Sequence, residues 1–416
     1  MRPSFSFDRS PPIAVAFLLG AFGVSAALTG CAGATGETRA PAQASPAPEV
    51  PPPSTPPAPS GVNPFVGARL YVNPDYVRAV EALTAEHPAE APLLRKMESL
   101  PTAIWLSWIS DTKGLPRYLE DAHRQERALG KPVLPVFVVY DLPGRDCAAE
   151  ASAGELGPDA DGEARYRREF IDPIAAALRA RPDQRAVVVL EPDSLSNLVT
   201  NLERPKCAAA AEIYKRGIAY AVSQLSLPNV FIYLEAAHAG WLGFPKNIGR
   251  AAKLYREVLT MGGGADRVRG FALNVSNYDP AVDPAKTPRD RTSAASDETG
   301  YAADLTKALA DVGVTGKRFV IDTGRNGQAY IRSIPSSWCN VKGAGLGERP
   351  RATPSPLVDA YLYIKTPGES DGTSDPHAPR FDQVCGGDDA APDAPQAGKM
   401  FDSYLLDLLR NAKPPL

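Results

Sequence analysis

The sequence predicts an α/β fold in which strands and helices alternate around a parallel barrel. Three observations carry this. Short apolar runs recur along the chain, helically spaced stretches separate them, and most runs end in polar or ionisable residues. Strand–helix alternation points to a parallel sheet, either closed into a barrel or doubly wound. In a barrel the carboxyl ends of all strands converge on one mouth, so polar residues recurring at those ends favour the barrel.

The expected strands are Arg69–Val72, Ile104–Trp108, Val136–Tyr140, Val187–Leu190, Val230–Leu234, Gly270–Asn274, Phe319–Ile321 and Ala360–Ile364. Each is brief and rich in Val, Ile, Leu or aromatics, as strands buried on both faces are. Segments such as Tyr166–Leu178, Ala208–Leu225 and Ile248–Leu259 carry helical apolar spacing. The strand ends run into Asp141 and Asp146, Glu191 and Asp193, Glu235 and His238, Asn274 and Asn277, Asp322 and Arg325, and Lys365, Glu369 and Asp371. Six successive strands that end this way predict a functional site at the barrel mouth.

Ahead of the barrel lie two other segments. Residues 1–30 read as a targeting sequence, with Arg2 and Arg9 before an apolar run from Ile13 to Leu28. The run ends in Leu28-Thr29-Gly30-Cys31, which resembles the bacterial lipobox, so Cys31 is expected to carry lipid and hold the mature chain at the cell envelope. Residues 31–62 hold nine prolines between Pro41 and Pro59 and cannot bury a core, which predicts a disordered tether. Residues 63–416 are the expected catalytic domain.

A net charge of −3 gives no reason to expect nucleic acid as a partner. The four histidines and five cysteines show no paired metal-ligand spacing, so neither a metal nor another cofactor is expected. Setting Cys31 aside leaves Cys147, Cys207, Cys339 and Cys385, an even number that suits disulfides in an exported chain. Parity alone allows three pairings.

The strand-end segments are Val139-Tyr-Asp-Leu-Pro-Gly-Arg-Asp-Cys147, Glu191-Pro-Asp-Ser-Leu-Ser-Asn-Leu-Val-Thr-Asn201 and His238-Ala-Gly-Trp-Leu-Gly243. Further on come Asp322-Thr-Gly-Arg-Asn-Gly327, Trp338-Cys-Asn-Val341 and Pro367-Gly-Glu-Ser-Asp-Gly-Thr-Ser-Asp375. In this order they resemble glycoside hydrolase family 6, the cellobiohydrolases and endoglucanases, from about Asn63 to the C-terminus. The resemblance implies a distorted parallel β/α barrel, TIM-like, that hydrolyses β-1,4-glucan with inversion. Cellulose or cello-oligosaccharides would then be the partner of an expected monomer. It also implies the pairings Cys147–Cys207 and Cys339–Cys385.

Glycoside hydrolysis with inversion needs an acid for the leaving oxygen and an activated water on the opposite face. By resemblance Asp193 is the acid. A free aspartate is ionised at neutral pH, and a neighbouring carboxylate can raise its pKa by like-charge repulsion; Asp146 stands where the family has that partner. Asp371 matches a family carboxylate proposed as base, yet Arg325 and Lys365 match cations that would hold it ionised and make it a poor base. The favoured route is a relay of two waters ordered by Asp146 and Ser152, with Asp371 organising charge and Arg145 and Arg325 as electrostatic support. Tyr140 matches the tyrosine that crowds the scissile sugar.

Aromatic platforms suit the apolar faces of sugars, and Trp105, Trp241 and Trp338 match family platforms. His238, Asn274, Lys365, Glu369 and Glu235 are the expected polar contacts, with Phe244 as a further aromatic one. The chain departs from the family in two places: Glu235 stands where Asp is usual, and Phe244 stands where some members have tryptophan. A long segment from Thr373 to Gly398 resembles the loop that roofs cellobiohydrolases, which favours release of cellobiose from chain ends. An endoglucanase and a non-catalytic cellulose-binding lipoprotein are the alternatives.

Overall fold

The computed structural model describes residues 61–285, 294–353 and 355–416. The expected signal segment, Cys31 and all but the last two residues of the expected tether lie outside the described residues.

Among the described residues ten strands follow in order: β1 (Arg69–Leu70), β2 (Ile104–Leu106), β3 (Val133–Leu134), β4 (Val136–Val139), β5 (Ala186–Leu190), β6 (Val230–Glu235), β7 (Gly270–Leu273), β8 (Arg318–Asp322), β9 (Arg351–Ala352) and β10 (Val358–Leu362). The main sheet runs β2-β4-β5-β6-β7-β8-β10-β9. All neighbours in it are parallel except β9, which lies antiparallel to β10. The sheet curls until its outer parallel strands meet. There the Ala103 N–H donates to the Tyr363 carbonyl (2.9 Å) and the Trp105 indole N–H to the Ile364 carbonyl (2.8 Å). Two such bonds stand in place of a ladder, which makes this a distorted barrel.

One expected barrel strand belongs elsewhere. Arg69–Val72 supplies β1, which pairs with β3 in a separate two-stranded sheet. The chain then turns at once into the helix Pro74–Glu86, because Asn73 accepts the Asp75 N–H and Pro74 is preset for a first helical turn. The edge strand β9 went unforeseen, since two residues carry no readable pattern.

Strand alternation builds two apolar layers. Val138, Val189, Tyr233, Ala272, Val320 and Ala360 fill the barrel interior. Their neighbours Phe137, Val188, Leu234, Phe271 and Phe319 face outward onto helices such as Pro205–Leu225, Pro245–Met261 and Glu298–Asp311. Because side chains alternate along each strand, one register fixes both layers, and all the parallel strands end at the same mouth.

Candidate active site

The polar residues at the strand ends fall into two tiers. Glu191, Glu235, Asn274 and Asp322, each at or directly after its strand, are almost wholly buried and hold loop backbone. Asp322 accepts N–H groups from Gly324, Ser276, Ile364 and Lys365 at 2.8–3.1 Å, stitching three strand ends together. Glu191 accepts the Tyr166 hydroxyl (2.8 Å) and the amides of Asp141 and Leu142. Residues further along each loop reach the mouth: Asp146, Asp193, His238, Lys365 and Asp371.

The first tier corrects two expected substrate contacts. Asn274, with no exposed surface, spends its side chain on the backbone of Asp279 and Asp322. Glu235, 2% exposed, accepts the backbone N–H of Asp193 (3.0 Å) and of Ala237 (2.5 Å) and the Ser196 hydroxyl (3.4 Å). Its side chain is therefore used behind Asp193, where burial pushes its own pKa up to about 8.

Asp193 sits in a left-handed backbone conformation (φ 63°), as do Asp146 (55°), Glu191 (51°), Ala237 (56°) and Ser276 (58°) at the same mouth. Such backbone is costly for non-glycine residues and gathers where a site dictates side-chain direction. Among the described residues none hydrogen-bonds the Asp193 carboxyl. Burial raises its pKa well above the ordinary value, and the charges of Asp146, Glu235 and Asp371 add to the effect. The neutral form of Asp193 is thus favoured first by desolvation and second by repulsion from Asp146. Asp146 is itself pushed up to about 6 by burial, against the pull of Ser152 and Arg145. Its carboxylate accepts the Ser152 hydroxyl in a short contact and the Tyr140 hydroxyl at 3.4 Å.

Asp371 is the opposite case. Burial would raise its pKa, but Arg325 (2.5 Å), Lys365 (3.4 Å) and the Asn340 N–H (2.9 Å) together hold it below the ordinary value. Arg325 is almost fully buried and also stacks over Tyr278 at 4.5 Å. Arg145 lies between the Tyr140 ring (4.5 Å) and the Trp108 ring (5.1 Å) and donates to the Ser152 carbonyl (2.9 Å).

The expected platforms are all partly buried. Trp105 packs edge-on against Tyr140 (5.5 Å) under the Lys365 ammonium, 5.6 Å from its ring. Trp241 is fixed by its indole N–H to the Thr200 hydroxyl (2.8 Å), with the His238 ring 6.1 Å away. Trp338 packs on the Cys339–Cys385 disulfide. Phe244 caps the helix Pro245–Met261 beneath the Lys246 ammonium (5.9 Å). Glu369 is half-buried, its pKa raised by burial against Lys365. Trp108, three residues beyond Trp105 and given no role by the sequence motifs, is 36% exposed and also within 5.9 Å of Arg380.

Two loops meet over the mouth. Cys147 pairs with Cys207, tying the 147–152 segment to the helix Pro205–Leu225, and Cys339 pairs with Cys385 in the long segment after Asp371. The Glu150 N–H donates to Asp382 (2.9 Å), and Ala151 packs on Cys339 and Cys385. A side chain at Gly372 would meet Ala151 at 2.6 Å and the Cys385 sulfur at 2.7 Å, so only glycine allows this closure. His238, Asp279 and Glu298 bring possible metal-ligating atoms within 4.8 Å of one another. Asp279 there is already engaged by Arg332, His238 and the Gly240 N–H, a set that suits an ion pair better than a metal.

A family model described as glycosyl hydrolases family 6 matches residues 65–412. The chain is 40% identical over 357 residues to exoglucanase 3 of Agaricus bisporus, covering 85% of this chain and 80% of that protein. It is 42% identical over 358 residues to a putative endoglucanase type B of Fusarium oxysporum, covering 85% and 77%. Among solved structures, cellobiohydrolase II of Humicola insolens, complexed with glucose and cellotetraose, superposes with a TM-score of 0.80 at 38% identity, covering 85% of this chain and 100% of that one.

Proposed function

The chain belongs to glycosyl hydrolases family 6, and on that premise we propose the route by which it hydrolyses β-1,4-glucosidic bonds of cellulose with inversion. Asp193, neutral at the working pH, gives its proton to the leaving oxygen. Water attacks the anomeric carbon from the opposite face. Its proton passes to a second water, ordered by Ser152 and Asp146, which hands a proton on to bulk solvent. Asp371 stays ionised between Arg325 and Lys365 and stabilises the positive charge that develops on the sugar ring. Tyr140 crowds that ring, and Trp105, Trp241 and Trp338 carry the glucan chain, with His238, Lys365 and Glu369 as polar contacts. The observation that carries this reading is the half-buried Asp193 carboxyl, unbonded among the described residues, with its pKa raised by desolvation and by Asp146.

The enzyme acts as a cellobiohydrolase. The support is the closed roof: Glu150 on Asp382 and Ala151 on the Cys339–Cys385 disulfide join loops from opposite sides of the mouth. A roofed chain must be threaded from an end and not gripped in its middle. Cleavage of cellohexaose and swollen cellulose tests this. Release of mostly cellobiose with little loss of viscosity is expected; rapid loss of viscosity would make the enzyme an endoglucanase, and binding without reducing-sugar release would make it a binding protein. Residues 1–30 are proposed as a lipoprotein signal and Cys31 as the lipidated residue that tethers the domain to the bacterial envelope through residues 31–62. The even cysteine number left when Cys31 is set aside supports this, and mass spectrometry of the mature N-terminus tests it.

A further inference from the structure

We propose that Asp279 is a positioning residue for the reaction: it fixes the His238 ring with its proton on Nδ1, which presents Nε2 to a glucan hydroxyl as an acceptor. The inference rests on the proposed sugar contact of His238 and adds how that contact is set.

Asp279 accepts from His238 Nδ1 and from the Gly240 N–H through one oxygen, both at 2.7 Å, and pairs with Arg332 through the other. Although burial works the other way, His238, Arg332 and Gly240 hold the Asp279 carboxyl well below the ordinary carboxylate range. An ionised carboxylate only accepts hydrogen bonds, so Nδ1 must be the donor. In the neutral ring this leaves a lone pair on Nε2, which has no partner among the described residues. The arrangement has the logic of a histidine oriented through its second nitrogen.

The surroundings fit this role. A Cβ on Gly240 would stand 2.9 Å from the bonded Asp279 oxygen, so glycine is what lets the amide and the carboxylate meet. Glu298, fully buried, accepts the Ala239 N–H (2.8 Å) and anchors the same turn, with burial and the Asp279 charge raising its own pKa. Arg332 also donates to Asn277 (3.0 Å), and the adjacent Ser333 and Ile334 are held by Asp389. Asp279 is thus braced from the far side, and the ring it orients lies beside the Trp241 platform.

Cellohexaose kinetics of Asp279→Asn, His238→Ala and the double variant test the proposal, together with imidazole 15N shifts of His238. Asp279→Asn is expected to raise KM about 5-fold to 10-fold, the size of one lost hydrogen bond, with kcat little changed. It should also move the neutral ring towards Nε2–H. The double variant should match His238→Ala alone. Gly240→Ala, which presses on the same carboxylate without removing its charge, should show the same pattern if Asp279→Asn folds poorly. An Asp279 effect that persists undiminished without His238, or an unchanged tautomer, overturns the proposal. An unchanged KM in His238→Ala overturns the sugar contact beneath it.

Discussion

The backbone N–H of Asp193 donates to the Glu235 carboxylate at 3.0 Å, so the acid's left-handed backbone is held from behind by a residue that does not face the cleft. Glu235 receives three donors, from Asp193, Ala237 and Ser196. Glu235 is a neutral carboxyl below about pH 8, and in Glu235→Gln its hydroxyl oxygen, which can still accept, becomes an NH2 that cannot, so one buried donor goes unmet at a cost of about 1–3 kcal/mol. The expected outcome is a melting temperature lowered by several degrees and kcat reduced about 10-fold with KM little changed. Glu235→Asp, which withdraws the carboxylate by one methylene, should do the same in milder form. Thermal melts and cellohexaose kinetics check both, and parental values would remove Glu235 from the account.

Asp371→Asn leaves the Arg325 guanidinium buried without its counter-charge. Breaking a buried pair from one side costs about 3–5 kcal/mol. Denaturant unfolding should therefore show a large loss of stability alongside the loss of activity. A residue acting only as a base would lose rate without that loss.

Removing the Asp146 charge takes away one of the influences that keep Asp193 protonated. In Asp146→Asn the Asp193 pKa falls, and the alkaline limb of the kcat profile moves to lower pH. Burial, the larger cause, remains, so the move is partial. A pH–rate profile of the variant checks this; an alkaline limb that stays in place or moves upward contradicts it.

Burial raises Glu191 to about 7 and Asp141 to about 8. Each holds in the folded chain a proton that the unfolded chain releases near pH 4, by the reference values of about 3.9 and 4.3. The folded state binds more protons across that window, so stability falls as pH rises from about 4 to about 8, by up to about 1.4 kcal/mol per pH unit for one such group. Asp371 and Asp279 are lowered, and their contribution is already complete at pH 5. Denaturant unfolding at pH 5 and pH 8 should show the parent weaker at pH 8, with the difference reduced in Asp141→Asn.

Much of this was legible in the sequence, and the failures have a physical pattern. Seven parallel strands and the loop motifs around Asp146, Asp193 and Asp371 were readable because each motif combines a strand end with charged residues at fixed spacing. What spacing does not reveal is where a side chain at the strand end points. Glu235 and Asn274 looked equivalent to Asp193 and His238, yet a residue directly on the strand end faces the loop backbone that must be satisfied there. The His238–Asp279 pair joins residues 41 apart. The roof contact of Glu150 with Asp382 joins residues 232 apart, and only the folded barrel brings such positions together.

Whether Asp193 supplies the proton is read from the initial rates of Asp193→Ala on cellohexaose and on β-cellobiosyl fluoride, whose leaving group needs no proton. Turnover of cellohexaose should fall at least about 100-fold, the lower range for loss of a general acid, with most of the rate on the fluoride retained. Parental turnover of cellohexaose by Asp193→Ala would contradict it.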